Sequence, residues 1–330
     1  MKEIKCILKK SVWLFAVVSA ILFAGCQDED DQQNSNNNND STTDYPATAD
    51  VIHDAVTDID GNTYDAVRIG DQIWMASNLR TTREPNGAII REGNPNVVPQ
   101  IDRYRYATNS DITTYGYVYN LAAALNTVEF DPDNSPFCDE NDAPSGVQGI
   151  CPNGWHLPSK MEYERLCTYI KTHITEYYST SEFTQQQVAY LGSMGCLFDC
   201  ALASNSGWDL ASDFYNIGYN QSVNNGTGFC AMPAGVYRAA YEYIYVDQDH
   251  NYNTAIQNGE IVAVGKIAYF WKADGRCYIQ HDYPHDYIAV VPRTFGLTYG
   301  GSTPSIWDLS AYEIDEALRY YQSVRCLKDY

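Results

Sequence analysis

Apolar and polar positions along this chain fall into three regimes. An apolar run from Val12 to Ala24 follows the basic residues Lys2, Lys5, Lys9 and Lys10, and residues Gln27 to about Ala49 are almost wholly polar. Beyond them, apolar positions recur with the spacings of folded structure. The first run is too short to cross a bilayer as a mature helix, and its basic-then-apolar order is that of a secretory signal. The folded region opens with strand signals from Val56 to Trp74, broken at Asp60-Gly61-Asn62 and at Gly70-Asp71. Both breaks read as tight hairpin turns, where glycine tolerates positive φ.

Two helices are predicted. The first covers Tyr117–Val128, with Tyr117, Leu121, Ala124, Leu125 and Val128 on one face. The second starts at Ser159, where Ser159 and Glu162 form a capping box after Pro158. Tyr163, Leu166, Cys167, Ile170 and Ile174 then keep helical spacing. Beyond Tyr178 glycine, asparagine and tyrosine dominate, with short strand-like pieces at 228–236, 261–271 and 322–327. Helices near the front and short strands with long loops behind predict an α+β fold. No second linker or repeat interrupts residues 50–330, which read as one domain.

The leader decides the expected address. Leu22-Phe23-Ala24-Gly25-Cys26 resembles the bacterial lipobox, in which small residues precede a cysteine that is acylated and becomes the new N-terminus. Phe23 stands where leucine is usual, with Leu22 beside it. Residues 1–25 are thus expected to be a lipoprotein signal peptide and Cys26 the lipidation site. Each buried acyl methylene contributes about 0.8 kcal/mol, and two chains anchor stably. Residues 26–49 form a disordered acidic tether that cannot bury enough surface to offset its chain entropy. Its opening, Gln27-Asp28-Glu29-Asp30-Asp31, resembles the export signal that sends some bacteroidete-type lipoproteins to the outer face of the outer membrane; a tether made acidic for solubility would look the same. The expected location is the bacterial outer membrane, lipid-anchored and surface-exposed.

Charge and cysteine usage agree with export. The net charge of −21 becomes −24 once residues 1–25, with four lysines and one glutamate, are removed. Such a surface argues against nucleic acid as a partner. Without Cys6 and Cys26, eight of ten cysteines remain: Cys138, Cys151, Cys167, Cys196, Cys200, Cys230, Cys277 and Cys326. An even number outside the cytoplasm permits four disulfides, with the connectivity open. Cys196-x3-Cys200 is the only close pair, and no CxxC or HxxxH stands near it, which argues against zinc.

Several segments in order resemble the Fibrobacter succinogenes major paralogous domain, over about Asp58 to Asp329. They are Asp58-Ile-Asp-Gly-Asn-Thr-Tyr, Val67-Arg-Ile-Gly-Asp-Gln-Ile-Trp-Met-Ala-Ser-Asn-Leu, Tyr115-Gly-Tyr-Val-Tyr-Asn-Leu-Ala-Ala-Ala, Cys151-Pro-Asn-Gly-Trp-His-Leu-Pro-Ser, Gly228-Phe-Cys-Ala-Met-Pro-Ala-Gly, Ala268-Tyr-Phe-Trp and Ser323-Val-Arg-Cys-Leu-Lys-Asp. That family occurs largely in predicted lipoproteins and surface proteins, mostly without an assigned biochemical function. Its Trp-His-Leu-Pro-Ser segment and Arg-Cys ending also look like the sulfatase-modifying, formylglycine-generating group. The resemblance implies a C-type-lectin-like core with two main helices, short antiparallel strands and long disulfide-stapled loops. The chain departs from the pattern between Tyr237 and Lys266, an insertion-like segment rich in tyrosine and acid, and in its larger number of cysteines. Within that frame Cys151 is paired with Cys326, joining the start of the helical segment to the last strand.

Candidate chemistry is sparse. His156 is a base or ligand on one reading and a hydrogen-bonded helix-entry residue on the other, and the six histidines assemble no triad. A formylglycine-type oxidase needs a redox-active cysteine pair in the C-terminal part, where only Cys277 and Cys326 stand. Asp247, Asp249, Asn251 and Asn253 alternate as calcium ligands do, although they lack the glycine and glutamate of an EF-hand. Asp131, Asp133 and Ser135 are a weaker second set, and solvated acidic loops explain both. Calcium is therefore an optional ligand, and no cofactor is required. Glu84-Pro85-Asn86 spells a mannose-type lectin signature in the wrong part of the chain, and Trp307-Asp308 echoes a lectin strand in two residues only.

Tyrosine is the strongest feature, at 28 against 10 phenylalanines. Tyr241, Tyr243, Tyr245 and Tyr252 crowd one expected loop; Tyr283, Tyr287 and Tyr299, with Asp282, crowd another. Alternation would put Tyr241, Tyr243 and Tyr245 on one face of a strand. Exposed tyrosines suit sugar or protein ligands, and half-buried strand tyrosines explain them as well. The expectation is a non-enzymatic extracellular binding module, an adhesin or pilus-associated tip subunit, that recognises a glycan or protein through Tyr241–Tyr252 and Asp282–Tyr287. The alternatives are a formylglycine-generating-type oxidase and a structural envelope protein.

Overall fold

Three strands at the front of the domain follow from the two predicted turns: β1 (Asp50–Thr57), β2 (Thr63–Ile69) and β3 (Gln72–Met75), all antiparallel. This is seen in a computed structural model that describes residues 45–94, 102–130, 137, 146–178, 184–193, 197–213, 216–246, 252–282, 285–299, 305–308, 312–313 and 318–330. In the first turn the Asp58 carboxylate accepts from the backbone of Asp60 and Asn62, from Asn62 Nδ2 and from the Tyr64 hydroxyl. The second is the two-residue turn Gly70-Asp71, where a Cβ on Gly70 (φ +64°) would lie 2.8 Å from the Tyr169 ring.

The chain end closes this sheet. β17 (Leu327–Lys328) lies between β3 and β7 (Trp155–His156), giving the order β1-β2-β3-β17-β7. Cys151 and Cys326, just before β7 and β17, are disulfide-bonded with their Cα atoms 5.9 Å apart. Between them and the second sheet sits Arg325, fully buried. It donates to the carbonyls of Met75, Phe229 and Cys230 and to Asn78 Oδ1, and its guanidinium lies 4.5 Å from the Phe229 ring centre. Burial pulls its pKa down to about 10, and the four acceptors engage both of its terminal nitrogens, which offsets part of the cost of burying the group.

The second sheet has ten strands among the described residues. Its centre is a long antiparallel hairpin, β12 (Ile267–Asp282) and β13 (His285–Thr298). β14 (Ser305–Asp308) and β15 (Tyr312–Glu313) add to β13. On the other side β16 (Tyr320–Ser323) joins β12 to β6 (Val118–Asn120), followed by β5 (Tyr104–Tyr106) and β4 (Arg91–Glu92). β8 (Val236–Arg238) pairs with β16 and with β11 (Glu260–Val262). β9 (Tyr241–Val246) and β10 (Tyr252–Gln257) form a separate two-stranded sheet.

Among the described residues there are five helices: α1 (Ile112–Tyr115), α2 (Leu121–Leu125), α3 (Lys160–Thr172), α4 (Gln185–Ser193) and α5 (Phe198–Leu202). α3 begins as predicted, with both capping-box bonds formed, and buries Tyr163, Leu166 and Ile170. The helix predicted over Tyr117–Val128 is much shorter. Val118–Asn120 are claimed by β5 and β16. Asn120 then caps α2 through its side chain, and Asn126 ends it in the left-handed region at φ +55°. The expected pair of main helices is thus corrected to five, and much of the expected long-loop region is the β12–β13 hairpin. The fold is mixed α and β, mostly antiparallel sheet.

Among the described residues three apolar clusters fill the space between these elements, one around Trp271, Tyr119 and Phe137, one around Trp74, Tyr163 and Phe295, and a smaller one around Tyr237 and Tyr321. Each such large side chain, fully buried, contributes roughly 1.5–3 kcal/mol. The four disulfides that the cysteine count permits do not all form, because Cys167 and Cys230 are thiols. Burial pushes the Cys167 thiol up to about 12 and raises Cys230 too, so both behave as apolar filling. Among the described residues no helix is long and apolar enough to cross a membrane.

Candidate functional site

The first candidate is the entry to α3. His156 leaves β7 with both ring nitrogens engaged: Nδ1 lies 2.7 Å from Asp329 Oδ1 and Nε2 lies 2.9 Å from Glu162 Oε1. Glu162 Oε2 accepts from the Ser159 amide and hydroxyl. Beside them Asp274 takes the Lys160 amide on one oxygen and Arg293 Nη1, at 2.7 Å, on the other. Burial opposes a charged imidazole, but the bonds and charges of Glu162 and Asp329 outweigh it, so the His156 pKa is raised. Burial likewise works against the Glu162 carboxylate, and the bonds from His156 and Ser159 overcome it, so its pKa is lowered. With both nitrogens used, His156 has none left for a metal or for taking a substrate proton. The carboxylates serve the helix N-terminus and its dipole.

The sulfur pair that an oxidase would need is also committed elsewhere. Cys326 is bonded to Cys151, and Cys277 is disulfide-bonded too. Glu84-Pro85-Asn86 is a turn whose polar groups serve one another: Glu84 Oε1 accepts from Arg103 Nη1 at 2.7 Å and Oε2 from Asn86 Nδ2, while Asn86 Oδ1 accepts the Ala88 amide. Pro85 borders a cleft of about 220 Å³, also lined by Thr57, Asp58, Ile59, Thr81, Arg83, Ile150, Cys151, Pro152 and Asn153. Asp58 is consumed by its own turn, and Arg83 Nε is 3.3 Å from Asp60.

The tyrosine-rich segments lie on two hairpins rather than in loops. Tyr241 stands opposite Gln257, Tyr243 opposite Ala255 and Tyr245 opposite Asn253. Tyr252 stands opposite Val246. The Tyr241 ring has the Arg319 guanidinium 5.2 Å from its centre. Asp282 ends β12 opposite His285, and Tyr287 stands opposite Gln280 on β13. Tyr299 is half-buried, with Lys266 Nζ 6.0 Å from its ring centre. Strand pairing does not join the two hairpins, since one is its own sheet and the other the centre of the large one. Asp247, Asp249, Asn251 and Tyr283 lie outside the described residues, as do Asp131, Asp133, Ser135 and Cys26; Asn253 is a strand residue of β10. Among the described residues, no three His, Cys, Asp or Glu side chains group to hold a metal ion.

What the tyrosine count did not reveal is the aliphatic surface of the same hairpins. Ile256 and Ile279 are each 57% exposed, and Ile288 opposes Ile279. The signal was available: β-branched residues flank the tyrosines on segments without a lysine or arginine.

A family model described as Fibrobacter succinogenes major domain matches residues 67–328. No curated protein and no solved structure matches the chain.

Proposed function

The chain belongs to the Fibrobacter succinogenes major domain family, and we propose that it is an outer-membrane lipoprotein, exposed on the cell surface, whose domain is a non-enzymatic module for binding an extracellular glycan or protein. The observation that carries this reading is that both hairpins carry exposed apolar and aromatic side chains: Tyr241, Ile256, Tyr278, Ile279 and Ile288 are all at least 38% exposed. Exposed apolar patches on a soluble domain commonly mark contact sites, and tyrosine supplies area with little entropy to lose. In this reading an acylated Cys26 holds the domain at the membrane and the tether lets it face outward. The union of the first strands with the last in one sheet supports a C-type-lectin-like core related to the sulfatase-modifying group.

Two measurements test it. Radiolabelled palmitate is expected to enter the expressed protein and to be lost in Cys26→Ala. The full chain in detergent, screened on immobilised glycans and extracellular proteins with and without calcium, is expected to bind in at least one condition. A blank in every condition would remove the binding-module reading, and an unlabelled wild-type protein would remove the anchor.

A further inference from the structure

Three stretches far apart in the chain meet at the cleft of about 220 Å³: the first hairpin turn, the loop before β4 and the segment that leads into β7. Asp60 ties the first two together. One of its oxygens accepts from the Thr81 hydroxyl and from the amide and hydroxyl of Thr82, and the other lies 3.3 Å from Arg83 Nε. The third stretch is fixed by the Cys151–Cys326 bond and by the turn in which the Trp155 amide donates to the Pro152 carbonyl. The walls are therefore set before any ligand arrives, which removes an ordering cost from binding.

The lining decides what fits. Ile59, Pro85, Ile150 and Pro152 give aliphatic walls, and Arg83 and Asn153 stand among them as polar groups. Asp60 engages Arg83 at Nε, which leaves both terminal nitrogens as donors for another acceptor. Gln148 Nε2 donates to Asn153 Oδ1 at 3.0 Å, which leaves the Asn153 amide nitrogen as a donor. The acids here are already used: the Asp58 carboxylate accepts from two amides, Asn62 Nδ2 and the Tyr64 hydroxyl, and Asp60 holds the 81–83 loop. A cation thus finds no spare carboxylate among the described lining residues. An anion would meet a guanidinium already paired with Asp60, in a chain of charge −21. A wholly apolar molecule would leave the donors of Arg83 and Asn153 unpaired. A sugar ring meets both demands, because its C–H faces pack on aliphatic walls while its hydroxyls accept from amide and guanidinium groups. The volume is below the roughly 300 Å³ at which pockets for drug-sized molecules begin, so it has room for one ring and not for a chain of them.

We propose that this cleft binds one neutral sugar ring at the end of a glycan, with the C–H face of the ring against Ile59 and Pro85 and its hydroxyls bonded to Arg83 and Asn153. The inference rests on the binding-module reading above, and gives it a ligand class and a site formed by residues other than those of the hairpins.

The test uses the full chain in a detergent without a sugar headgroup and reads binding by ligand-observed NMR. The probes are the methyl glycosides of glucose, galactose, mannose and N-acetylglucosamine, with cyclohexanol as an apolar ring and acetate as a small anion. At least one glycoside is expected to bind saturably, and cyclohexanol and acetate are not. Arg83→Leu and Asn153→Ala are each expected to weaken that glycoside by roughly tenfold, the loss of one hydrogen bond to a charged or amide donor. Leu210→Ser, at a position 86% exposed and outside the cleft lining, binds like the parent, and thermal melts check that the variants fold. Because Asn153 is an exposed residue, its variant remains informative should Arg83→Leu unfold. A glycoside bound equally by the parent and by Asn153→Ala would overturn the inference, as would cyclohexanol or acetate binding as well as the glycosides. Binding lost in Ile279→Lys and kept in both cleft variants would make the hairpins the glycan site instead. If no glycoside binds while an extracellular protein does, this inference falls and the binding-module reading stands; if nothing binds, both fall.

Discussion

Replacing His156 by glutamine tests whether the entry to α3 is held by a charged imidazole. The ring's contact with Asp329 reaches a carboxylate whose side chain is 55% exposed, so it is screened and contributes about 0–1 kcal/mol. The contact with Glu162 joins side chains 6% and 3% exposed. Breaking a buried pair by removing one partner costs about 3–5 kcal/mol. Glu162 keeps its two bonds from Ser159, so the lower end applies, about 3 kcal/mol in total. The pH dependence follows from the two shifts. The His156 pKa is raised in the fold, so its contribution is complete below the ordinary value of 6.5 and is lost as pH rises through the folded value. The Glu162 pKa is lowered, so its contribution is complete above the ordinary 4.5 and is lost as pH falls through the folded value. The difference between parent and variant should therefore be largest between pH 4.5 and 6.5 and shrink toward alkaline pH. Urea-unfolding midpoints measured across that range read it directly. A difference that stays flat with pH would mean that the imidazole is neutral and acts only by filling space.

Two further outcomes follow from the packing. Opening the Cys151–Cys326 bond, which closes a loop of 175 residues, should cost up to about 5 kcal/mol on the chain-entropy estimate, read as a lowered urea midpoint of Cys151→Ala/Cys326→Ala; an unchanged midpoint would refute it. Gly149→Ala and Gly154→Ala form a controlled pair, both at positive φ (+59° and +80°). A Cβ at 149 would meet the Ala124 carbonyl at 2.2 Å, whereas one at 154 meets nothing within 4 Å. The second should therefore cost about 1–2 kcal/mol from the backbone alone and the first clearly more in the same melts.

How much of this was legible depends on where the deciding partner lies. The capping box of α3 was, because Ser159 and Glu162 settle it between themselves. The helix predicted over Tyr117–Val128 failed because its first half pairs with Gln322 and Ser323, some two hundred positions away, and apolar spacing alone fits either state. The β12–β13 hairpin was hidden for another reason. Lys272 is fully buried within it, and Asp274 and Arg293 are a buried pair, so charged residues occupy positions where a strand pattern expects apolar ones. Arg325 was visible only as part of the Arg-Cys ending. Its role at the centre of four acceptors is a tertiary fact.

The tyrosines show why the candidate surface was only half readable. Tyr64, Tyr119, Tyr163, Tyr178, Tyr237 and Tyr321 are essentially without exposure. Three of them find acceptors inside the fold, in Asp58 and in the carbonyls of Thr81 and Leu197. A tyrosine that hydrogen-bonds in the core therefore looks, in sequence, like one that hydrogen-bonds a ligand. What separates the two is how far a hairpin runs past the strands that cover it. On β13, Ala289 and Val290 are buried where β15 lies alongside, and the next residue toward the turn, Ile288, is 38% exposed. That boundary is set by the length of β15, a strand of two residues, and no periodicity within β12 or β13 encodes it. Ile279, opposite Ile288, lies on the exposed side of the same boundary.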